Sequence, residues 1–592
     1  MTLFEKLIPR ARGRGSLPLL SLPLLLALSG QGPVRGQQNG GDGHVDVSLG
    51  YYSPHNQSVW TITTLRPQST NIVSVKESPP DVRFYVVQAH AYLHNITMSY
   101  NQTLVPHQHV NGTNLGLVWQ TKQGPSSFYV INPNSENVTV MYAVVAYGAY
   151  SPIPGGCNME FEIETAPYLK VRYNEAMVEV KAQPGQYPGA SCTRDIVTHD
   201  VYRMYMPARD FTEETYFSAI QAMLTYEDIL TNGTLAPLPI SGSLMRRLYS
   251  LYAGTGSVYA VVAQSLQGTS AYVPAVSYGC SAIYFTDSCT VLTTTFSKVL
   301  VACLLFMGFF TCFYGHFFFR VQMFLAGFLS GGLLAYVGLI RLATLPTGSG
   351  MVLSLSCLVG LGVGAAFVLL WYLCGIPVMA ILLLVTPLAF LFASASFYVG
   401  LGDLQFCQLD LDFWLAFLVL MLTLVLLVAP LLHNGSILSS AVVGAYAAVL
   451  PFDHYVGGNL KYIVINSLRR ASVPGFSQAI ISPPFQAADL WLSLLWLTLA
   501  LSGLRVQQVR QRGRPPFPPA SRRPPPAGLP QPPTVRTPLR VSSRIPHGYG
   551  SVGDDDVFET PPQQQQQQPL TVASAAGAVA DWFGRGCGLR GR

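Results

Sequence analysis

Residues 351–372 read MVLSLSCLVGLGVGAAFVLLWY, an apolar run that contains no Asp, Glu, Lys or Arg. A run of about 20 apolar residues is long enough to cross a bilayer as a helix. Other runs of this kind occur on both sides of it, and together they cover residues 299–316, 321–340, 351–372, 376–398, 412–432, 436–452 and 489–505. The sequence therefore predicts seven transmembrane helices. The sixth is the least regular, because it is short and ends at Pro451.

The charges fit a membrane domain. Between Val299 and Leu504 the charged residues all lie between or at the ends of apolar runs, and they are Arg320, Arg341, Asp403, Asp410, Asp412, Asp453, Lys461, Arg469, Arg470 and Asp489. Over the whole chain of 592 residues, 50% are hydrophobic and 11% are charged. Soluble proteins carry about 25% charged residues, so the composition argues against an ordinary cytosolic enzyme.

The first 29 residues predict a signal peptide. A basic segment precedes a Leu-rich stretch, Leu17 to Leu28, which is too short for an easy bilayer crossing, and small residues follow it. Cleavage would leave the new N-terminus outside the cytosol, and seven spans would then place the C-terminus inside. The basic residues after the last span agree with this orientation: they are Arg505, Arg510, Arg512, Arg514, Arg522 and Arg523. Lys461, Arg469 and Arg470 are exceptions, because they fall on the predicted outer side.

Residues 30–296 predict a glycosylated ectodomain. The sequence contains six clustered Asn-X-Ser/Thr acceptors in this part: Asn56, Asn95, Asn101, Asn111, Asn137 and Asn232. Four cysteines precede the apolar region, an even number in an oxidising compartment: Cys157, Cys192, Cys280 and Cys289. Three pairings are open, and proximity in sequence favours Cys157–Cys192 with Cys280–Cys289.

The ectodomain also predicts β-structure with an internal repeat. Residues 82–100, 127–148, 159–182 and 256–265 are rich in Val, Tyr, Phe and Thr and are separated by Pro, Gly and Asn. The pentapeptide YAVVA occurs at Tyr142–Ala146 and again at Tyr259–Ala263. Two tandem β-sandwiches with a break near 165–190 fit this spacing, and coincidence is the alternative. One helix is predicted near 211–230, opening at Thr212.

Several function classes fit the sequence poorly. His90, His94, His107 and His109 are close in sequence, but no carboxylate or cysteine accompanies them at ligand spacing, so solvated histidines are the simpler interpretation. No Gly-x-Ser-x-Gly elbow or phosphate loop occurs. The third and seventh apolar runs lack the motifs of a conventional G-protein-coupled receptor. No predicted span has an ionisable residue in its interior, which argues against ion-coupled transport.

Two stretches resemble a known family. Pro152–Phe161, with its Pro-Gly-Gly-Cys-Asn run, and the segment from Cys312 through Gly315-His316 to Phe324 are similar to the transmembrane seven superfamily member three family. The membrane part also resembles the domain of the transmembrane protein 198 type. The resemblance spans about 45–520 and implies a multi-pass plasma-membrane glycoprotein with a role in cell survival and stress homeostasis. It implies no catalytic residue.

Residues 506–592 predict a Pro-rich, disordered cytosolic tail. Arg512, Pro515 and Pro518 match one orientation of an SH3 ligand, with a solvated linker as the alternative. The juxtamembrane arginines also predict attraction to anionic lipid.

Taken together, these features predict a seven-helix membrane domain at 297–505 behind a β-rich ectodomain, in a non-enzymatic cell-surface glycoprotein. We expect no cofactor, no metal and no nucleic acid, and we expect membrane lipid, an extracellular protein or ligand and a cytosolic SH3-type protein as partners. The alternatives are an atypical seven-transmembrane receptor and a lipid- or solute-handling protein.

Overall fold

The computed structural model describes residues 34–35, 43–49, 58–77, 79–121, 126–192, 196–239, 245–281, 289, 295–343 and 350–513. The predicted signal peptide, the acceptor Asn56, and Pro515 and Pro518 of the SH3-ligand match lie outside these residues.

The first part of the ectodomain is a β-sandwich. Its strands within the described residues are β1 (Val34–Arg35), β2 (His44–Ser48), β3 (Ser58–Leu65), β4 (Thr70–Lys76), β5 (Phe84–Ala91), β6 (Ile96–Ser99), β7 (His109–Gly112), β8 (Asn114–Gln120), β9 (Ser126–Ile131) and β10 (Val138–Tyr147). One sheet has the order β1-β3-β10-β5-β8, and the other has the order β2-β4-β9-β6-β7. The pairs β1/β3 and β2/β4 are parallel, and the other neighbours are antiparallel.

The second part of the ectodomain is another β-sandwich. Its described strands are β11 (Lys170–Tyr173), β12 (Met177–Lys181), β13 (Thr198–Ala208), β14 (Thr234–Leu235), β15 (Arg246–Ser250), β16 (Thr255–Gln264), β17 (Thr269–Ala271), β18 (Ala275–Ser277) and β19 (Ala479–Ile480). One sheet has the order β11-β12-β15-β19. In the other, β14-β13-β16-β17, strand β16 also pairs with β18.

The repeated pentapeptide occupies equivalent positions in the two sandwiches. Tyr142–Ala146 lies in β10, which pairs with strands on both sides, and Tyr259–Ala263 lies in β16, which does the same. Both copies are buried along their whole length. A run of Tyr, Val and Ala without polar alternation suits a central strand that is covered on both faces. The prediction of tandem sandwiches is confirmed.

The region 211–230 forms two short helices instead of the single predicted one. They are α1 (Glu213–Gln221), whose N-terminus Thr212 caps, and α2 (Tyr226–Asn232). Thr225 begins α2 with a reciprocal capping box, in which its hydroxyl and the Asp228 carboxylate each bond to the other residue's backbone N–H. The chain turns between the helices because Met223 and Leu224 are fully buried in the core there.

The region 159–182 is only partly strand. Residues 159–168 are irregular, and the two strands β11 and β12 follow them. The Asn158 side chain accepts hydrogen bonds from the backbone N–H groups of Glu160 and Phe161, at 3.1 and 2.9 Å. Such local bonds compete with a β-ladder, and they account for the loop.

The two sandwiches pack on each other directly. Met141 and Ala143 of β10 point out of the first sandwich and join one buried cluster with Tyr216 and Phe217 of α1. The loop that follows β10 also returns to the first sandwich, where Ile163 and neighbouring apolar residues enter its core. The ectodomain is therefore continuous across the repeat.

The remainder is a helical bundle. Its described helices are α3 (Thr295–Tyr314), α4 (Phe319–Ala343), α5 (Gly350–Cys374), α6 (Pro377–Val399), α7 (Asp410–Val428), α8 (Leu432–Val456), α9 (Tyr462–Ser472) and α10 (Ala487–Gln511). Within the described part, six of them are long and apolar enough to span a membrane, and α3 adds a shorter apolar segment, Lys298–Tyr314. The multi-pass fold is confirmed. The sixth span is longer than predicted, because α8 continues through Pro451 to Val456.

Small residues allow close helix packing within the bundle. A Cβ at Gly327 of α4 would lie 2.8 Å from the backbone of Gly364 in α5, and one at Gly360 would lie 2.7 Å from Phe328 O. A Cβ at Gly444 of α8 would overlap the backbone of α3. These spaced glycines therefore serve packing inside one chain.

Candidate functional site: the junction between ectodomain and bundle

The segment between α8 and α10 connects the bundle to the second sandwich. It contains helix α9 and strand β19, and β19 pairs in parallel with β15, with Leu248 opposite Ala479 and Tyr249 opposite Ile480. A loop of the membrane domain thus completes an ectodomain sheet. In the sequence this segment is only the connection between the sixth and seventh apolar runs, whereas the structure brings its Asn466 and Arg469 against the ectodomain.

Arg469 of α9 is the central contact of this junction. Its Nη1 donates to the carbonyl oxygen of Leu251 at 2.8 Å, and its Nη2 donates to that of Glu175 at 3.1 Å. Both acceptors belong to the second sandwich. The side chain is buried, and desolvation lowers the pKa of the guanidinium. Arginine stays protonated even so, because its ordinary pKa is above about 12. The result is a buried cation that holds two backbone carbonyls from different loops.

Arg470 points the other way, into the bundle. Its Nε donates to Asp410 Oδ1 at 3.0 Å, its Nη2 donates to Cys407 O at 2.8 Å, and its guanidinium lies 4.4 Å from the ring centre of Phe413. The Arg470 side chain is buried, whereas Asp410 is exposed. Consecutive arginines on α9 therefore bind the ectodomain and the bundle respectively.

Asn466 and Tyr252 extend the contact from α9 to the sandwich. Asn466 accepts a hydrogen bond from Ser250 Oγ at 2.9 Å and donates to Tyr252 Oη at 3.1 Å. Tyr252 Oη donates in turn to Ile481 O at 2.6 Å. All of these groups are buried, so each hydrogen bond replaces one that water would otherwise supply.

A second polar group lies beside β19. Arg203 of β13 donates to Ser482 O at 2.8 Å, and Tyr205 Oη donates to the same oxygen at 2.8 Å. The Asp403 carboxylate, from the connection between α6 and α7, accepts from the backbone N–H groups of Ile481 and Ser482 at 2.6 and 2.7 Å. Residues 481–482 are thus bound from the ectodomain and from the bundle at once.

Two buried aspartates fix the start of the loop. Asp453 near the end of α8 accepts from the backbone N–H of Leu460 at 2.9 Å, and Asp489 in the first turn of α10 accepts from that of Asn459 at 2.6 Å. A Cβ at Gly458 would overlap Asp453 Oδ1, so the close approach requires glycine. These carboxylates bind backbone amides, an arrangement that positions a loop.

The sequence did not assign any of these residues to a site. The available signal was the placement of Lys461, Arg469 and Arg470 on the predicted outer side, against the usual charge bias. Arg470 reaches Asp410, 60 positions away, and Arg469 reaches Glu175, 294 positions away. A single sequence does not reveal such pairs.

The predicted cysteine and glycosylation positions lie in the two sandwiches. Cys157 is bonded to Cys192 and Cys280 to Cys289. The described acceptors are exposed, and they are Asn95, Asn101, Asn111, Asn137 and Asn232. Four of them belong to the first sandwich, three of these around β6 and β7. Arg512, from the SH3-ligand match, is the C-cap residue that follows α10.

The four neighbouring histidines have separate surroundings. His90 is fully buried between Asn114, 3.0 Å from its Nδ1, and Gln88, 2.9 Å from its Nε2. His107 and His109 each bond a backbone carbonyl through Nδ1. Among the residues that the structure describes, no group of three His, Cys, Asp or Glu side chains could hold a metal ion. The expectation of solvated histidines is wrong for His90, because β5 is covered on both faces.

An exposed apolar pair lies at the end of the ectodomain away from the junction. Leu266, in the turn between β16 and β17, is 98% exposed, and Tyr150, in the turn after β10, is 61% exposed. Ser265 Oγ donates to Tyr150 O at 3.4 Å, so the two turns are adjacent. Strand β16 begins near the junction and places this pair about 30 Å from it, at about 3.3 Å per residue. Apolar surface of this kind is a candidate contact for another protein.

The comparisons with known proteins agree with this architecture. Family models match three parts of the chain: the TM7SF3-like N-terminal immunoglobulin-like domain at residues 53–147, the TM7SF3-like second immunoglobulin-like domain at 152–283, and the TM7S3/TM198-like domain at 301–508. Transmembrane 7 superfamily member 3 of Mus musculus is 30% identical over 513 residues, which are 84% of this chain and 89% of the relative.

The protein of the same name from Homo sapiens is 30% identical over 456 residues, 74% of this chain and 80% of the relative. No solved structure gives a significant match. The fold, its two immunoglobulin-like domains and its membrane domain therefore agree with the similarity along most of the chain, and the protein belongs to the transmembrane 7 superfamily member 3 family.

Proposed function

We propose that the chain is a non-enzymatic cell-surface glycoprotein that binds an extracellular protein through its ectodomain and conveys that binding to its helical bundle. The junction is the observation that carries the proposal. Strand β19 belongs to an ectodomain sheet and also to the loop that joins α8 to α10. A displacement of the second sandwich would therefore act on two bundle helices without a flexible linker between them.

The proposed orientation places the ectodomain outside the cell and the tail in the cytosol, at the plasma membrane. The exposed acceptor asparagines favour a glycosylated ectodomain. Asp403, Asp410, Asp453 and Asp489 support the same orientation, since they lie at the ectodomain end of the bundle. Arg505, Arg510 and Arg512 lie at the opposite end, as the positive-inside rule requires of the cytosolic side.

The orientation is tested by glycosidase treatment combined with accessibility of the tail. In cells permeabilised only at the plasma membrane, an antibody should bind an epitope at the C-terminus. Glycosidase treatment should remove the glycans of the ectodomain and lower the apparent mass of the protein. Antibody binding to the tail in intact cells would refute the orientation.

The proposed binding surface is the pair Tyr150 and Leu266. Both side chains are exposed, and their turns belong to different sandwiches, so a partner bound there would contact the two domains together. Proximity labelling from a fusion at the ectodomain tests this surface. Replacing both residues by serine should remove at least one labelled cell-surface protein, whereas Met159→Ser, an exposed apolar control in the same ectodomain, should not. Identical labelling in all three proteins would refute the surface.

The resemblance to the family supports a further element of the proposal, a contribution to cell survival and stress homeostasis. Cells that lack the chain should survive secretory stress less well, and wild-type protein should restore survival.

Agonist-dependent activation of a G protein would favour an atypical receptor instead, and flux of substrate in proteoliposomes would favour a solute- or lipid-handling protein. An SH3-type partner of the tail is also proposed, from the Arg512, Pro515 and Pro518 match.

A further inference from the structure

A crevice of about 290 Å³ lies inside the bundle, between α3 and α4. Leu304 and Met307 of α3, Leu325 and Leu329 of α4 and Val443 of α8 contribute to its apolar wall. Met307 is 39% exposed, so the crevice reaches the surface of the bundle. Its volume is close to the lower limit of small-molecule sites, about 300 Å³.

The crevice exists because α3 and α4 pack closely against different helices. Helix α3 packs closely on α8, and glycine at Gly308 and Gly444 permits this approach. A Cβ at either position would overlap the backbone of the other helix. Helix α4 packs closely on α5 through Gly327 and Gly331. The two consecutive helices α3 and α4 are therefore held by different neighbours, and space is left between them. At this depth in a bilayer, lipid hydrocarbon rather than water would fill the space between α3 and α4.

Polar side chains border the crevice at the end of the bundle far from the ectodomain, which we call the distal end. Gln322 and Ser440 line the crevice there. Ser440 Oγ donates to Gln507 Oε1 at 3.0 Å, Gln507 Nε2 donates to Cys312 O at 2.7 Å, and Gln322 donates to Ser436 O at 3.2 Å. These hydrogen bonds satisfy the polar side chains, which lie below the apolar walls as a polar floor.

Among the described residues, the charges around the distal end are all of one sign. In the described residues of the bundle, the carboxylates Asp403, Asp410, Asp412, Asp453 and Asp489 all belong to the ectodomain end, at helix ends or in loops there. The charged residues at the distal end are Arg320, Arg505, Arg510 and Arg512, and each is exposed. Arg510 stacks on Tyr314, the last residue of α3, at 4.4 Å. The apolar crevice suits the hydrocarbon chain of a lipid, and the arginines beside it suit a negatively charged headgroup.

We propose that the crevice binds one acyl chain of an anionic phospholipid, whose headgroup lies against the distal arginines. The lipid would come from the leaflet at the distal end, which is the anionic cytosolic leaflet in the orientation proposed above. The inference rests on that orientation only for the source of the lipid. The binding site itself is a property of the bundle.

Photolabelling of the full-length protein in nanodiscs tests the proposal. The nanodiscs consist of phosphatidylcholine with a minor fraction of phosphatidylserine that carries a diazirine in one acyl chain. We expect labelled peptides from the crevice walls of α3 and α4. In a second sample, the diazirine is carried by phosphatidylcholine, and we expect weaker labelling of the same peptides.

Matched substitutions separate the crevice from the outer surface of the same helices. Leu304→Trp combined with Leu325→Trp fills the crevice and should lower labelling by about tenfold, the change that a loss of about 1.4 kcal/mol of binding produces. Phe306→Trp combined with Leu334→Trp places tryptophan at exposed positions of α3 and α4 and should leave labelling unchanged. Arg320→Gln combined with Arg505→Gln should remove the preference for phosphatidylserine.

Three outcomes would overturn the proposal. They are even labelling around the bundle, equal labelling by the two phospholipids, and displacement of the probe by a sterol, which would assign the crevice to sterol. If the crevice pair fails to fold, the labelled positions in the wild-type protein decide alone. Nanodiscs present both lipids in both leaflets, so the result does not depend on orientation, and the tail-accessibility experiment tests that separately.

Discussion

Replacement of Arg469 by methionine is the most direct test of the junction. Methionine keeps most of the apolar length of the side chain and removes all of its donors. Leu251 O and Glu175 O would lose partners that now lie 2.8 and 3.1 Å away. A hydrogen bond to a charged group contributes about 1.5–3 kcal/mol. We therefore expect the free energy of opening of the junction to fall by about 3–6 kcal/mol, because two such bonds are lost in a buried site.

Hydrogen exchange of the full-length protein in detergent measures this change locally. Peptides that contain β15 and β19 should exchange at least about one hundred times faster in the variant, since each 1.36 kcal/mol corresponds to a factor of ten. Peptides from the first sandwich, such as β5 and β10, should keep their wild-type exchange rates. The effect is local because β15 and β19 form the part of the sheet that the Arg469 contacts support.

Arg246→Met is the matched control. Arg246 lies on β15 itself, but its side chain is 44% exposed and its Nε pairs with Glu179 on the surface. Exposed pairs contribute about 0–1 kcal/mol, so the exchange rates of β15 should change by less than about fivefold. If Arg469→Met left the exchange of β15 and β19 within the range of this control, the assignment of Arg469 as the central contact of the junction would be refuted.

Three further predictions concern the ectodomain and the bundle. Burial lowers the pKa of His90 to about 4, whereas the unfolded state takes up a proton below about pH 6.5. The contribution of neutral His90 to the free energy of unfolding is therefore complete above about pH 6.5 and is lost as the pH falls toward 4. At 1.36 kcal/mol per pKa unit the loss is about 3 kcal/mol, and thermal unfolding of the full-length protein should be less pH-dependent for His90→Gln than for wild type. Gly327→Val should destabilise the bundle by about 1–3 kcal/mol, because its Cβ would lie 2.8 Å from the α5 backbone. Gly338→Val is the control, because a Cβ there meets no atom within 4 Å, and thermal unfolding in detergent compares the two variants. Replacing both Cys157 and Cys192 by serine opens a link between residues 35 apart and should cost about 4 kcal/mol, measured as a lower unfolding midpoint. An unchanged midpoint would contradict a stabilising role.

The parts of the fold that the sequence predicts are those with local signals. A membrane helix is a continuous apolar run, and each of the seven predicted runs overlaps a helix of the bundle. A central strand is a short run of Tyr, Val and Ala, and the two copies of YAVVA occupy central strands. Pro451 was misleading because the apolar pattern ends there, whereas α8 continues for five more residues to Val456.

The junction could not be predicted in the same way. Arg469 contacts residues 218 and 294 positions earlier in the chain, and Arg203 contacts one 279 positions later. Nothing local distinguishes these side chains from ordinary polar residues of a loop. The strand β19 has only two residues and is formed because β15 offers an unpaired edge.

The three basic residues that oppose the charge bias are each held by the protein. Arg469 donates to backbone carbonyls of the second sandwich, Arg470 pairs with Asp410, and Lys461 Nζ lies 3.3 Å from Asp453 Oδ2. A cation that is buried or paired in this way is shielded from lipid headgroups. The distal arginines Arg320 and Arg505 are exposed instead.

The bundle therefore uses its basic residues in two ways. At the ectodomain end, Arg469 joins the bundle to the second sandwich, and Arg470 and Lys461 pair with carboxylates of the bundle. The exposed Arg341 at this end donates to Ala471 O at 2.7 Å. At the distal end they are exposed on a surface without carboxylates in the described residues, where an anionic lipid could meet them. Arg469, Arg470 and Lys461 therefore have structural roles on the predicted outer side, and these roles support the proposed orientation better than a count of basic residues on each side does.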